Sequence, residues 1–95
     1  MAALVFFDVE IPDLDRYQDF MNQVKPSLAA AGAKYLARSG EHRIYEDDWT
    51  PRRIVILEFP SIEAWEGFYN GPVYQGLKIV RDECSSARLV AVQGI

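Results

Sequence analysis

Five of the six residues from Ile54 to Phe59 are apolar, and the sixth is Glu58. Side chains alternate faces along a strand, so a run with no alternation predicts a strand buried on both sides. Arg52 and Arg53 precede it and Pro60 stops it. A chain with such a strand at its centre must cover both faces of a sheet.

The other elements follow from period and punctuation. Residues 3–10, Ala-Leu-Val-Phe-Phe-Asp-Val-Glu, read as the first strand, ended by Pro12. Asp13 is the expected N-cap of a helix whose stripe is Leu14, Tyr17, Phe20, Met21, Val24 and Leu28. Pro26 is expected to kink or divide that helix near Lys25, and Gly32 to close it at C′. Residues 33–40 contain the second strand. Arg43 to Glu46 are expected to resume pairing, and Asp47 to Pro51 to form a loop.

Ser61 is the expected cap of the next helix, with Ile62, Trp65, Phe68 and Tyr69 as its stripe. Asn70-Gly71-Pro72 interrupts it. A further helical segment carries Val73, Leu77 and Val80, and residues 87–92 are the last strand. The order β-α-β-β-α-β in 95 residues implies one domain, 1–95. Its class is α+β, ferredoxin-like, with a four-stranded antiparallel sheet. Right-handed βαβ units would make the first and third strands parallel neighbours.

Two helices cover one sheet face. Val5, Phe7 and Val9 share a face with the helices; Leu4, Phe6 and Asp8 share the other. Ile54 and Ile56 join the second group, so it is apolar as well. A second copy of the chain is the expected cover, giving a homodimer through the sheet face.

A net charge of −4 with scattered basic residues argues against nucleic acid as a partner. Cys84 is the single cysteine, so there is no intrachain disulfide, which suits a cytoplasmic protein. The apolar run Ala2 to Phe7 lacks a basic lead and is too short for a signal peptide or membrane span. The whole chain is therefore expected in the mature protein. One histidine, His42, in a predicted turn makes no metal constellation, and no phosphate loop is present. No metal or cofactor is expected.

Ala-Lys-Tyr-Leu-Ala-Arg-Ser-Gly (33–40), residues 46–61, Phe-Tyr-Asn-Gly-Pro-Val-Tyr-Gln (68–75) and Ile-Val-Arg-Asp-Glu-Cys-Ser-Ser-Ala (79–87) resemble the bacterial family called domain of unknown function 1330. The likeness covers essentially the whole chain. Gly32, Leu36, Arg38, Trp49, Pro51, Arg53, Glu58, Phe59, Pro60, Ser61, Tyr69 and Tyr74 match its pattern by position. Ser39 and Asp47 stand where that pattern has glycine, Gly71 where it has serine, and Phe68 where it has tryptophan. The resemblance implies membership of the dimeric α+β barrel superfamily. That superfamily includes cofactor-independent monooxygenases, haem-degrading enzymes, isomerases and stress-response proteins, while the family itself has no agreed activity.

Glu58, Asp8 and Arg38 are the candidate catalytic residues. By the period-two count they line one end of an otherwise apolar sheet-side cleft, with a carboxylate as base and Arg38 as oxyanion clamp. Trp49, Arg53, Tyr69 and Tyr74 are candidate substrate-binding residues around it. The expected function is binding of, or cofactor-independent action on, a small apolar or carbonyl-bearing molecule. The alternative is a non-catalytic stress-associated or structural homodimer whose Arg38–Glu58 pair is an internal ion pair.

Overall fold

A computed structural model describes residues 1–95. The strands are β1 (Ala3–Glu10), β2 (Lys34–Arg38), β3 (Ile54–Phe59) and β4 (Ser86–Gln93). The helices are α1 (Leu14–Ala30), α2 (Ile62–Asn70) and α3 (Pro72–Cys84). The strands form one sheet in the order β2-β3-β1-β4, with every neighbouring pair antiparallel.

That pairing corrects the parallel arrangement expected of β1 and β3. The α1 crossover returns the chain to β2 in the direction of β1 but leaves a gap one strand wide. β3 doubles back into the gap and so runs against both.

The barrel is corrected too. The sheet is open, with β2 and β4 as separate edges. Four strands are too few to close around side chains, which takes about eight. The molecule is accordingly a slab of 36 × 35 × 17 Å.

The helices cover one face. Ala3, Val5, Leu57 and Phe59 on the sheet pack with Phe20, Val24 and Leu28 of α1, Trp65 of α2 and Tyr74 of α3. Caps settle the helix starts: Asp13 accepts from the Arg16 amide at 3.2 Å and Ser61 from the Ala64 amide at 3.0 Å. Pro72 opens α3 directly after Gly71, where its missing N–H is no loss.

Pro26 does not divide α1, which is continuous through it. Asn22, Lys25 and Pro26 all lie on the exposed side. The carbonyl that proline deprives of a partner therefore faces solvent, and the buried stripe is undisturbed. The expected pairing of Arg43 to Glu46 is absent: no strand forms between Arg38 and Ile54.

Gly32 has φ 77° and ends α1 as expected, and a Cβ there would stand 2.9 Å from Cγ of Pro60. Ser39 (φ 58°) and Asp47 (φ 70°) are the only other residues described with positive φ. These are the two positions at which glycine is usual in the resembled pattern, so the backbone keeps the turn that glycine would ease. Gly32→Ala is expected to destabilise the fold by about 1–3 kcal/mol, and Ser39→Gly to leave it unchanged or raise stability by up to about 1 kcal/mol. Urea unfolding of the two variants beside the parent checks both signs.

Candidate functional site

Register decides which candidates can meet. Asp8 lies opposite Ile54 and Arg88, and Glu58 lies opposite Leu4 and Lys34. Both carboxylates therefore stand on the outer face of the sheet, away from the helices. They are four positions apart in strand register, roughly 13 Å at the usual rise. The structure does not bring them together.

Arg38 is on the other side. A bulge between Tyr35 and Ala37 inserts Leu36, so that Tyr35 pairs with Leu57 and Arg38 with Val55. Leu57 and Val55 belong to the helix-side core. One extra residue reverses the face of everything after it. Arg38 and Glu58 consequently form no ion pair.

Asp8 has a different partner set. Its Oδ2 accepts from Nε1 of Trp49 at 3.1 Å, and its Oδ1 from the Arg52 amide at 3.0 Å. The carboxylate thus ties the irregular segment after β2 to β1. Trp49, Asp8, Glu10, Arg52 and Arg88 border a shallow polar hollow there.

A mainly apolar cavity lies between the sheet and α1, with a volume of about 310 Å³. Twelve of its 17 lining residues are hydrophobic, among them Val24, Leu28, Leu57 and Phe68. The rest include Arg38, Arg53 and Arg81, and Tyr17, Tyr35 and Tyr74 also line it. No Asp, Glu, His or Cys does.

Arg81 is only 6% exposed. Its Nη1 donates to the Tyr74 hydroxyl at 2.8 Å and its Nη2 to Oδ1 of Asp82 at 3.1 Å, while its buried Nε has no partner. Burial works against its charge, but the Tyr74 and Asp82 contacts outweigh that and hold the guanidinium above its usual value. The Arg38 guanidinium stacks 5.0 Å from the Tyr35 ring centroid. Neither Arg38 nor Arg53 has a carboxylate within 4.0 Å.

The Tyr17 phenol is pushed up to about 12 by burial, with Tyr74 adding to the shift and Arg81 and Arg53 opposing it. Burial raises Tyr74 as well, against the pull of Arg81. Both hydroxyls are therefore protonated donors near neutral pH.

Of the sequence candidates, the cavity gathers Arg38, Arg53 and Tyr74. Tyr69 is one layer behind, its ring 5.5 Å from that of Tyr74. Trp49, Asp8 and Glu58 belong to the outer face and its edge. Tyr17, Tyr35 and Arg81 were not singled out from the sequence. Arg81 had a legible signal: it follows Tyr74 by seven residues, two helical turns, on the buried face of α3. Tyr17 shows in the sequence only as part of an apolar stripe, and the helix-side place of Tyr35 follows from its pairing with Leu57.

The four-stranded antiparallel sheet with helices on one face places the chain among ferredoxin-like α+β proteins. It belongs to the family described as Domain of unknown function (DUF1330), which matches residues 2–95. No curated protein matches it.

Among solved structures it is similar to a protein of unknown function from Rhodopseudomonas palustris. The identity is 18% and the TM-score 0.74, covering 99% of this chain and 82% of that one. It is also similar to a dimeric ferredoxin-like protein of unknown function from a Jannaschia species, at 12% identity and TM-score 0.71, covering 99% and 100%. A third is SnoaB, a cofactor-independent oxygenase from Streptomyces nogalater, at 10% identity and TM-score 0.63, covering 99% and 91%. At such identities the likeness is one of fold.

Asp8→Ala should free the segment that carries Trp49. Trp65 is buried and Trp49 is 57% exposed, so acrylamide quenching reports mainly on Trp49. A steeper quenching slope is expected in the variant, and an unchanged slope would deny Asp8 its anchoring role.

Proposed function

We propose that this chain binds a small apolar molecule bearing a carbonyl or similar polar group in the cavity between sheet and α1, and acts on it without a cofactor. The observation that carries this is the lining itself. It has the size and mainly apolar wall of a small-molecule site, with a few polar groups converging on it. Arginines and protonated tyrosines can stabilise charge that develops on a carbonyl oxygen. The fold likeness to a cofactor-independent oxygenase is consistent with this and fixes neither substrate nor reaction.

One observation favours a second reading, binding without turnover. With no Asp, Glu, His or Cys in the wall, the cavity holds donors and cations but no ordinary general base. Turnover would then depend on the substrate's own acidity.

Thermal-shift measurements with a panel of small aromatic and unsaturated carbonyl compounds, neutral and acidic, test the site. A ligand at a hundred times its Kd stabilises by about 2.7 kcal/mol. Met21→Trp, which fills the cavity, should abolish the shift. A panel without any stabilising compound, or a filled variant that still responds, would overturn the reading.

The outer face bears on assembly. Phe6, Val90 and Val92 are 37%, 62% and 50% exposed there, beside half-buried Ile54 and Ile56. Such a patch on one side of a thin slab calls for a cover. Two solved structures of similar fold are described as dimeric. The proposal is a homodimer through this face, with the helix-side cavities left open. No helix is long and apolar enough to cross a membrane, and the expected cytoplasmic location narrows to that statement. Sedimentation should find a dimer at micromolar concentration and a folded monomer for Val90→Lys. A monomeric parent chain would refute the pairing.

A further inference from the structure

Resting on the cavity reading above, we propose that the ligand is a small organic monoanion. Its carboxylate, or an equivalent enolate, is held at one end by Arg38, Arg53 and the Tyr17 and Tyr74 hydroxyls, and its apolar body lies toward Leu28 and Phe68.

The cavity has a charged end and an apolar end, and the backbone fixes which is which. The Arg53 carbonyl accepts from the Val9 amide at 2.9 Å, beside the end of β1. The Ser39 amide donates to the Ile54 carbonyl at 2.9 Å, placing Arg38 at the same edge. Arg16, in the first turn of α1, pairs with Glu83 of α3, and Arg81 lines the cavity with Tyr17. All three arginines thus stand near the start of α1. Leu28 stands near its finish, where Gly32 meets Pro60.

Donors outnumber acceptors at the charged end. Arg38 and Arg53 lack carboxylate partners. The Tyr17 hydroxyl makes no hydrogen bond. The Tyr74 oxygen already accepts from Arg81, which leaves its own proton to donate. Arg81 is therefore a positioning residue: it orients Tyr74 and adds charge from behind, partly offset by Asp82. Two guanidinium groups on a partly open cavity, a third behind Tyr74 and no carboxylate in the wall make an anion the complementary guest. Phe20, Phe68 and Tyr74 supply flat walls suited to an aromatic or unsaturated body. The volume of about 310 Å³ corresponds to about ten water-sized volumes, which sets the scale of such an acid.

Titration calorimetry with benzoate, trans-cinnamate and hexanoate, each against its primary amide, tests the assignment. At least one acid should bind about tenfold or more tightly than its amide, and added salt should shrink the difference. In Arg38→Gln/Arg53→Gln, with both positions at least partly exposed and the fold verified by circular dichroism, acid and amide should bind alike. Amides that bind as tightly as their acids overturn the anion assignment and leave the cavity reading intact. So does a double variant that keeps the preference. If neither acids nor amides bind at millimolar concentration, both readings fall.

Discussion

Helices cover only one face of the β2-β3-β1-β4 sheet, and what each side chain can do depends on the face it takes. On the covered side, Ala3, Val5, Leu57 and Phe59 meet Phe20, Val24, Leu28, Trp65 and Tyr74. The contact fills well where α2 brings its aromatics down: the Trp65 ring lies 5.3 Å from Phe59 and 5.2 Å from Tyr69. It fills less well between α1 and the β2–β3 half of the sheet, and the cavity opens there. β2 is a short edge strand, five residues long, which lays little surface beneath that part of α1.

The bulge at Leu36 gives that space its chemistry. In an unbroken register Arg38 would have lain on the outer face opposite Ile54, and the helix side would have kept two arginines. With the bulge, Arg38 joins Tyr35 on the covered side. Glu58 stays outside, with Lys34 directly across from it in register. Its place near the end of an apolar strand reflects that outward position. Asp8 likewise serves the loop, through Trp49 and the Arg52 amide.

Much of the fold was legible because it rests on local rules. The strand at Ile54 to Phe59, the caps at Asp13 and Ser61, the break at Gly71-Pro72 and the C′ glycine at position 32 each follow from neighbours in sequence. What was not legible depends on distant geometry. Period two could not reveal a bulge that only the pairing of β2 with β3 defines. Strand direction for β1 and β3 follows from which gap β3 fills, a matter of topology. The Arg43 to Glu46 stretch has strand-forming residues, yet Ser39 and Asp47, both at positive φ, turn the chain away from the edge it would have joined. Tyr17 carried an apolar spacing that hid its hydroxyl.

A buried guanidinium is costly unless its hydrogen bonds are met. Arg81 is nearly enclosed, and its Nε goes unpartnered. A fold needing only an apolar core at that point would do better with leucine or methionine of similar reach. The cation fits the structure if its field is used across the cavity, where it acts on Tyr17 and is joined by that of Arg53. Asp82 accepts from both Arg81 and Lys78, so it is shared between two cations and neutralises Arg81 only in part. The residual positive charge lies behind Tyr74, on the wall that has donors and no carboxylate. That wall sets cations and hydroxyl donors beside a mainly hydrocarbon surface, where charge is screened less than in open solvent. An anion entering that end adds the pairing that Asp82 supplies only in part, so the buried cation that costs the empty fold favours the occupied one.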